Sequence, residues 1–241
     1  MKLYVYCLAE SVEEFTVPVN GISGAPVRQL ALNDLVALVS DLEIASVPVT
    51  RENALMHEAV VRTVMNQTTP LPFRFGTLAT AEQIQSYVSA RKTALESRFA
   101  LVRGCVEMSV KIIWNAPFND LKVELPKSQN EEGPGAAFLL KKKREIVGSE
   151  RLASEAAELK QWLSDQIQGL VREEQVSLRP TEKLVLAASH LVERDAVATY
   201  TQKLTVARLE RPELHFLVSG PWAPYSFANI DLEFEMHFGV S

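Results

Sequence analysis

Leu3, Val5 and Cys7 alternate with Tyr4 and Tyr6 near the start of the chain, and this period of two predicts a β-strand over 2–9. Residues 35–39 form an unbroken apolar run, the pattern of a strand covered on both faces. The period then changes. Leu55, Ala59, Val60, Val64 and Met65 recur at helical spacing over 51–67, with Thr50 placed to cap the first turn and Asn53 within its reach. Pro70 and Pro72 stop that helix. Thr80 and Gln83 form a capping-box pair ahead of a second helix that carries Ile84, Tyr87, Val88, Leu95, Phe99 and Val102 as far as Gly104. Over 105–114 the alternation returns, with Val106, Met108, Val110 and Ile112 against Glu107, Ser109 and Lys111.

Residues 115–135 contain Pro117, Pro126 and Pro134 and a polar string, so they mark a boundary. Beyond it, 136–174 contains no proline. Leu152, Ala156, Leu159, Leu163 and Leu170 form a coiled-coil-like seam there. A helix of that length spans about 60 Å. It must pack on a second helix, protrude, or break near Gly148. The pattern then predicts a strand at 184–192, a helix at 195–210 ended by Arg211-Pro212, and a strand at 214–220. Ile230, Leu232, Phe234, Met236 and Phe238 alternate with acidic or polar residues, predicting a terminal strand that completes or links sheets. The expected fold is α+β: two ferredoxin-like domains, 1–125 and 126–241, the second with a long coiled-coil-like helical element at about 136–174.

Composition narrows the function more than the fold. The chain has 241 residues, 47% hydrophobic and 23% charged, with net charge −5. That balance creates no global field for nucleic acid or an anionic membrane, so neither is an expected partner. The run Lys141-Lys142-Lys143-Arg144 reads as a solvated helix face, because it lacks interleaved aromatics. Cys7 and Cys105 sit in apolar strands with no signal peptide before them, which predicts free buried thiols in a cytosolic protein. No apolar run approaches the roughly 20 residues of a membrane span.

The chain offers little catalytic chemistry. None of His57, His190, His215 and His237 stands at metal spacing from another histidine or cysteine. His57-Glu58 lacks the second histidine of a zinc helix. No phosphate loop, dinucleotide fingerprint or nucleophile elbow is present. Gly133-Pro134-Gly135 reads as a linker entering a helix, since the residues after it offer no group to assist an anion. The expectation is no enzyme, no catalytic residue, no cofactor and no metal. One alternative stays open: a small-molecule sensor or enzyme on ferredoxin-like domains, using Arg74 and a His190–His215 pair on neighbouring strand ends.

Two segments stand out instead. Leu71-Pro72-Phe73-Arg74-Phe75-Gly76-Thr77 places an arginine between two aromatics where the chain turns. Arg74 can clamp a carboxylate, stack on a ring, or cap helix carbonyls; against a partner or ligand contact, an arginine that ties the inter-helix loop to the sheet is the favoured reading. Ser219-Gly220-Pro221-Trp222-Ala223-Pro224-Tyr225-Ser226-Phe227 sets three aromatics on a frame stiffened by proline. Phe73, Arg74, Phe75, Trp222, Tyr225 and Phe227 are therefore the candidate partner contacts.

These segments, with Tyr4-Val5-Tyr6, Gly104, Glu107-Met108-Ser109-Val110-Lys111 and Gly133-Pro134-Gly135 followed by Phe138-Leu139-Leu140-Lys141, resemble the gas vesicle accessory proteins of the F/L family. The motifs run in family order over nearly the whole chain. The departures are small: Ala223 where proline is common and Phe138 where tyrosine is common. The resemblance implies a non-enzymatic minor component, needed for gas vesicle formation and localised to the vesicle, which assembles from the cytoplasm. It implies the main shell protein as partner, kept from aggregating before assembly, and other gas vesicle accessory proteins beyond it. The family fold it implies is two α+β domains, the second with a long helical coiled coil.

Overall fold

In the computed structural model the described residues are 2–11, 20–42, 46–114, 134–177 and 184–230, with the backbone course alone for 134–149. The chain divides into two compact units, Met1–Glu107 with Pro221–Ser241, and Met108–Gly220. The sequence reading instead places one contiguous boundary at 125/126. The proposed terminal strand lies outside the described residues.

The first unit is built on strand β1 (Lys2–Glu10), from Leu3 to Ala9 buried throughout. Strands β2 (Val27–Leu32) and β3 (Leu35–Leu42) form an antiparallel hairpin beside it. Its turn is Asn33-Asp34, with Asn33 in the left-handed region at φ 59°. Two short segments, β4 (Leu71–Pro72) and β5 (Leu78–Ala79), pair with β1 on its other side. The path is β2-β3-β1-β4, with β5 also on β1.

Helix α1 (Arg51–Met65) starts where Thr50 accepts a hydrogen bond from the Asn53 backbone N–H, as its sequence requires. Its buried stripe is His57, Val60, Val61, Val64 and Met65. Leu55, expected on that face, is 59% exposed, and Ala59 is exposed too. The face is rotated because tyrosines on β1 supply partners for His57, so a polar ring fills a core position.

The helix expected over 80–103 is two helices, α2 (Ala81–Ala90) and α3 (Lys92–Val102), broken at Arg91. The capping box of Thr80 and Gln83 is formed. Gly104, at φ 74°, then turns the chain into β6 (Cys105–Trp114).

The second unit takes the order β6 from Met108 onward, α4 (Pro134–Gln166), β7 (Val171–Ser177), β8 (Leu184–Glu193), α5 (Val197–Glu210), and β9 (Leu214–Trp222) as far as Gly220. Its sheet runs β7-β8-β6-β9. Helix α4 continues through Gly148, but it ends at Gln166 rather than near 174. Gly169, at φ 77°, closes the turn, and Val171 onward pairs antiparallel with β8. The strand departs from the expected helix because it is an edge: most of its residues are exposed, Glu and Gln favour helices, and a register shift between Val171 and Glu173 blurs the alternation.

Ala156, Leu159, Leu163 and Ile167 are buried with Val110, Ile112, Leu186, Tyr200, Leu204 and Phe216. This part of the seam therefore packs on its own sheet and on α5, not on a separate coil. Leu170, expected in the seam, lies past the helix end, and Ile167 takes that place.

Candidate functional site

Loop and strand geometry bring the two aromatic segments together within the first unit. The segment from Leu71 to Ala79 runs along β1 as an interrupted strand. The Phe73 N–H donates to the Tyr6 carbonyl at 2.9 Å, and the Val5 N–H donates to the Thr77 carbonyl at 3.0 Å. Between these anchors the chain turns through Gly76, at φ 89°, and the Thr77 hydroxyl closes the turn on the Arg74 carbonyl at 2.7 Å. The loop is thus tied to the sheet by its backbone, and the Arg74 side chain is exposed.

The second segment is held equally firmly. A short helix, α6 (Tyr225–Ala228), begins after Pro224. The buried carboxylate of Glu107 accepts the Ser226 N–H at 2.7 Å and the Ser226 hydroxyl at 2.6 Å. The guanidinium of Arg62 lies 5.8 Å from the centroid of the Trp222 ring, a cation–π contact. Asn229, at φ 45°, ends the helix.

The two segments meet at His57, which is 3% exposed. Its ring centroid lies 5.9 Å from that of Phe75 and 6.2 Å from that of Tyr225. Tyr4 completes the cluster, 6.2 Å from Phe75 and 4.8 Å from Tyr6. Hydrogen bonds tie the pair to the loop. The Gly76 N–H donates to the Tyr4 hydroxyl oxygen at 3.2 Å. The Tyr4 hydroxyl and His57 Nδ1 share a hydrogen bond at 2.8 Å; in the tautomer where the Tyr4 O–H donates, the imidazole proton is on Nε2. Nε2 is buried without a partner at hydrogen-bond geometry among the described residues. Burial holds His57 neutral, bringing its pKa down to about 4, against the opposing pull of the Phe73 carbonyl. Burial also pushes the Tyr4 hydroxyl well above its ordinary range.

Of the six candidate contacts, Phe73 and Phe227 are fully buried, so they are core anchors that a partner cannot reach. Arg74 is exposed, Phe75 and Trp222 are half-buried, and Tyr225 is 36% exposed. His57 is not among the six candidates that the sequence offers. The signal for it was its place at the i−3 and i−4 positions of Val60 and Val61 on the buried stripe.

The His190–His215 pair on which the alternative reading relied is not formed. His190 lies on β8 and His215 on β9, and β6 runs between them, which puts their strands about 10 Å apart. His190 instead bonds the Tyr200 hydroxyl through Nδ1 at 2.6 Å, and burial brings its pKa down to about 4. No group of three or more His, Cys, Asp or Glu residues suited to a metal ion occurs among the described residues. Cys7 and Cys105 are buried free thiols. No described helix is long and apolar enough to cross a membrane.

The described elements define a mixed α+β protein with two antiparallel sheets. Residues 2–229 match the family described as gas vesicle synthesis protein GvpL/GvpF, and the chain belongs to that family. Gas vesicle protein F1 of Halobacterium salinarum is 25% identical, covering 99% of this chain and 98% of its own. Gas vesicle protein F of Dolichospermum flosaquae is 24% identical, covering 96% and 99%. The crystal structure of GvpF from Anabaena sp. PCC7120 superposes with a TM-score of 0.78 at 22% identity, covering 95% of this chain and 99% of that one. GvpF from Microcystis aeruginosa gives 0.77 at 23% identity over the same shares. The likeness to these structures supports the fold, and family membership supports a role in gas vesicle formation.

Proposed function

We infer that this protein binds the main gas vesicle shell protein and keeps it from aggregating before assembly, as a non-enzymatic accessory component that joins the vesicle from the cytoplasm. The observation that carries this reading is the meeting of the two aromatic segments at His57. Phe75, Trp222 and Tyr225 come to the surface of the first unit beside Arg62 and Arg74, on loops fixed by backbone bonds and by the Glu107–Ser226 clamp. Tyr, Trp and Arg are the residue types that dominate binding hot spots, and a rigid surface loses little entropy on association. A shell subunit that walls off gas must present a large apolar face, which aggregates in water unless a soluble partner masks it. Other gas vesicle accessory proteins are further partners on this reading.

Both units are read as variants of the ferredoxin-like fold. The second has the β-α-β-β-α-β order with strands in the sequence 2-3-1-4, and the first has the same strand sequence.

The test is a pull-down of purified shell protein with the intact chain and with Trp222→Ala, Tyr225→Ala and Phe75→Ala. The expected result is binding by the intact protein and loss with the paired Trp222 and Tyr225 changes. Absence of binding by the intact protein under assembly conditions overturns the reading.

A further inference from the structure

A cleft on the first unit is lined by none of the residues around His57. It opens between the tip of the β2–β3 hairpin and helices α2 and α3, with a volume of about 170 Å³. Leu32, Leu35, Val88, Leu95 and Phe99 give it an apolar lining. That volume decides between kinds of occupant. Sites for whole small molecules run to roughly 300–1,000 Å³. A cavity of about 150 Å³ takes one benzene-sized group. The cleft therefore fits a single large side chain, the form in which a protein segment anchors itself.

The rim adds a charge preference. Glu10, Asp34 and Glu96 stand against Lys92 and Arg103. The Arg103 guanidinium is already neutralised by Glu10, through two bonds at 2.6 and 3.1 Å. Lys92 reaches Glu96 only at 3.9 Å. The Asp34 carboxylate, on the exposed hairpin turn, meets no cation among the described residues. The rim is thus left with an acidic excess at the mouth of an apolar hole.

We propose that this cleft docks a segment of the main shell protein that presents one leucine- or phenylalanine-sized side chain beside a lysine or arginine. The proposal rests on the function inferred above and adds a second contact to it. The anchor fills the apolar hole, and the cation meets Asp34, where charge complementarity fixes register more than it adds affinity.

The test measures binding of the full-length protein to labelled overlapping peptides covering the main shell protein, by fluorescence anisotropy. Two exposed positions are changed: Ser89→Trp to plug the mouth and Asp34→Lys to reverse the rim, with circular dichroism and melting curves to confirm folding. One peptide with an apolar residue next to a basic one is expected to bind, and each change weakens it about tenfold or more. Replacing the peptide's basic residue by glutamate restores binding to Asp34→Lys, an exchange that a merely structural role for Asp34 would not produce. If peptides bind both variants as well as the intact chain while Trp222→Ala and Tyr225→Ala weaken them, the cleft proposal is overturned and the function inferred above stands. If neither the peptides nor the whole shell protein bind the intact chain, both fall together.

Discussion

The two units solve one problem in two ways. Each sheet follows the strand sequence 2-3-1-4, and each buries a histidine bonded through Nδ1 to a tyrosine hydroxyl. In the second unit His190 sits on a strand and Tyr200 on a helix, enclosed by apolar neighbours, with Glu174 3.9 Å away. In the first unit the arrangement is exchanged: Tyr4 is on the strand and His57 on the helix. There the pair also holds the Gly76 turn and carries Phe75 and Tyr225 on its ring. The same buried couple is a closed packing element in one unit and the support of a surface in the other. The difference teaches that a polar pair in a core acquires a functional consequence through what is stacked on it, not through its own chemistry.

The largest effect that sharpens this contrast is expected at Phe227. Phe227→Ala removes a fully buried ring, and the chain should lose about 3–5 kcal/mol in denaturant melts. Tyr225→Ala, two residues earlier and 36% exposed, should cost far less stability while weakening shell-protein binding. Equal losses from both changes would break the distinction between anchor and surface.

Acid comes next. Both histidines have folded-state pKa values near 4, below the ordinary 6.5, so the unfolded chain takes up protons first as pH falls. Stability from the neutral rings is complete above pH 6.5 and is lost progressively between 6.5 and 4, by up to about 3 kcal/mol for each ring. Melting temperatures measured across this window should fall, and His57→Asn or His190→Asn should each remove about half of the slope. A slope untouched by either change would show that other groups govern acid sensitivity.

A smaller test concerns how the first unit turns from β1 toward β2. The register of β1 shifts at Tyr6, and the bulge aims its hydroxyl at the Ile22 N–H, 2.8 Å away, and at the Ser40 hydroxyl, 3.0 Å away. A Cβ on Gly21 would stand 2.0 Å from that hydroxyl. Gly21→Ala should therefore cost about 1–3 kcal/mol, and Tyr6→Phe in the same chain should recover part of the loss, as read in thermal melts.

The smallest comparison sets Tyr4→Phe against Tyr200→Phe. The first strands two groups, His57 Nδ1 and the Gly76 N–H, and the second strands His190 Nδ1. Losses of about 2 and about 1 kcal/mol are expected in urea melts, and the reverse order would contradict the linkage of Tyr4 to the loop.

Much of this molecule was written in local pattern. Alternation over 2–9 and 105–114, the Thr50 cap and the capping box of Thr80 and Gln83 all specify elements through contacts a few residues apart, and the structure contains each. The family too was legible, from the full set of motifs in order along the chain, the two aromatic segments among them. What pattern could not supply was anything decided by distant partners. β7 is a strand because β8 offers it a free edge, against the helical leaning of its Glu and Gln residues. Leu55 is turned outward and His57 inward because Tyr4 waits 53 positions away to accept the ring. Phe73 and Phe227 are anchors while Phe75 and Tyr225 reach the surface, although all four look alike in the sequence. Short-range hydrogen bonds and hydrophobic period are properties of a segment, and the sequence determined them. Burial, pairing edge and the meeting of two loops at one histidine are properties of the closed core, and only the tertiary structure decided those.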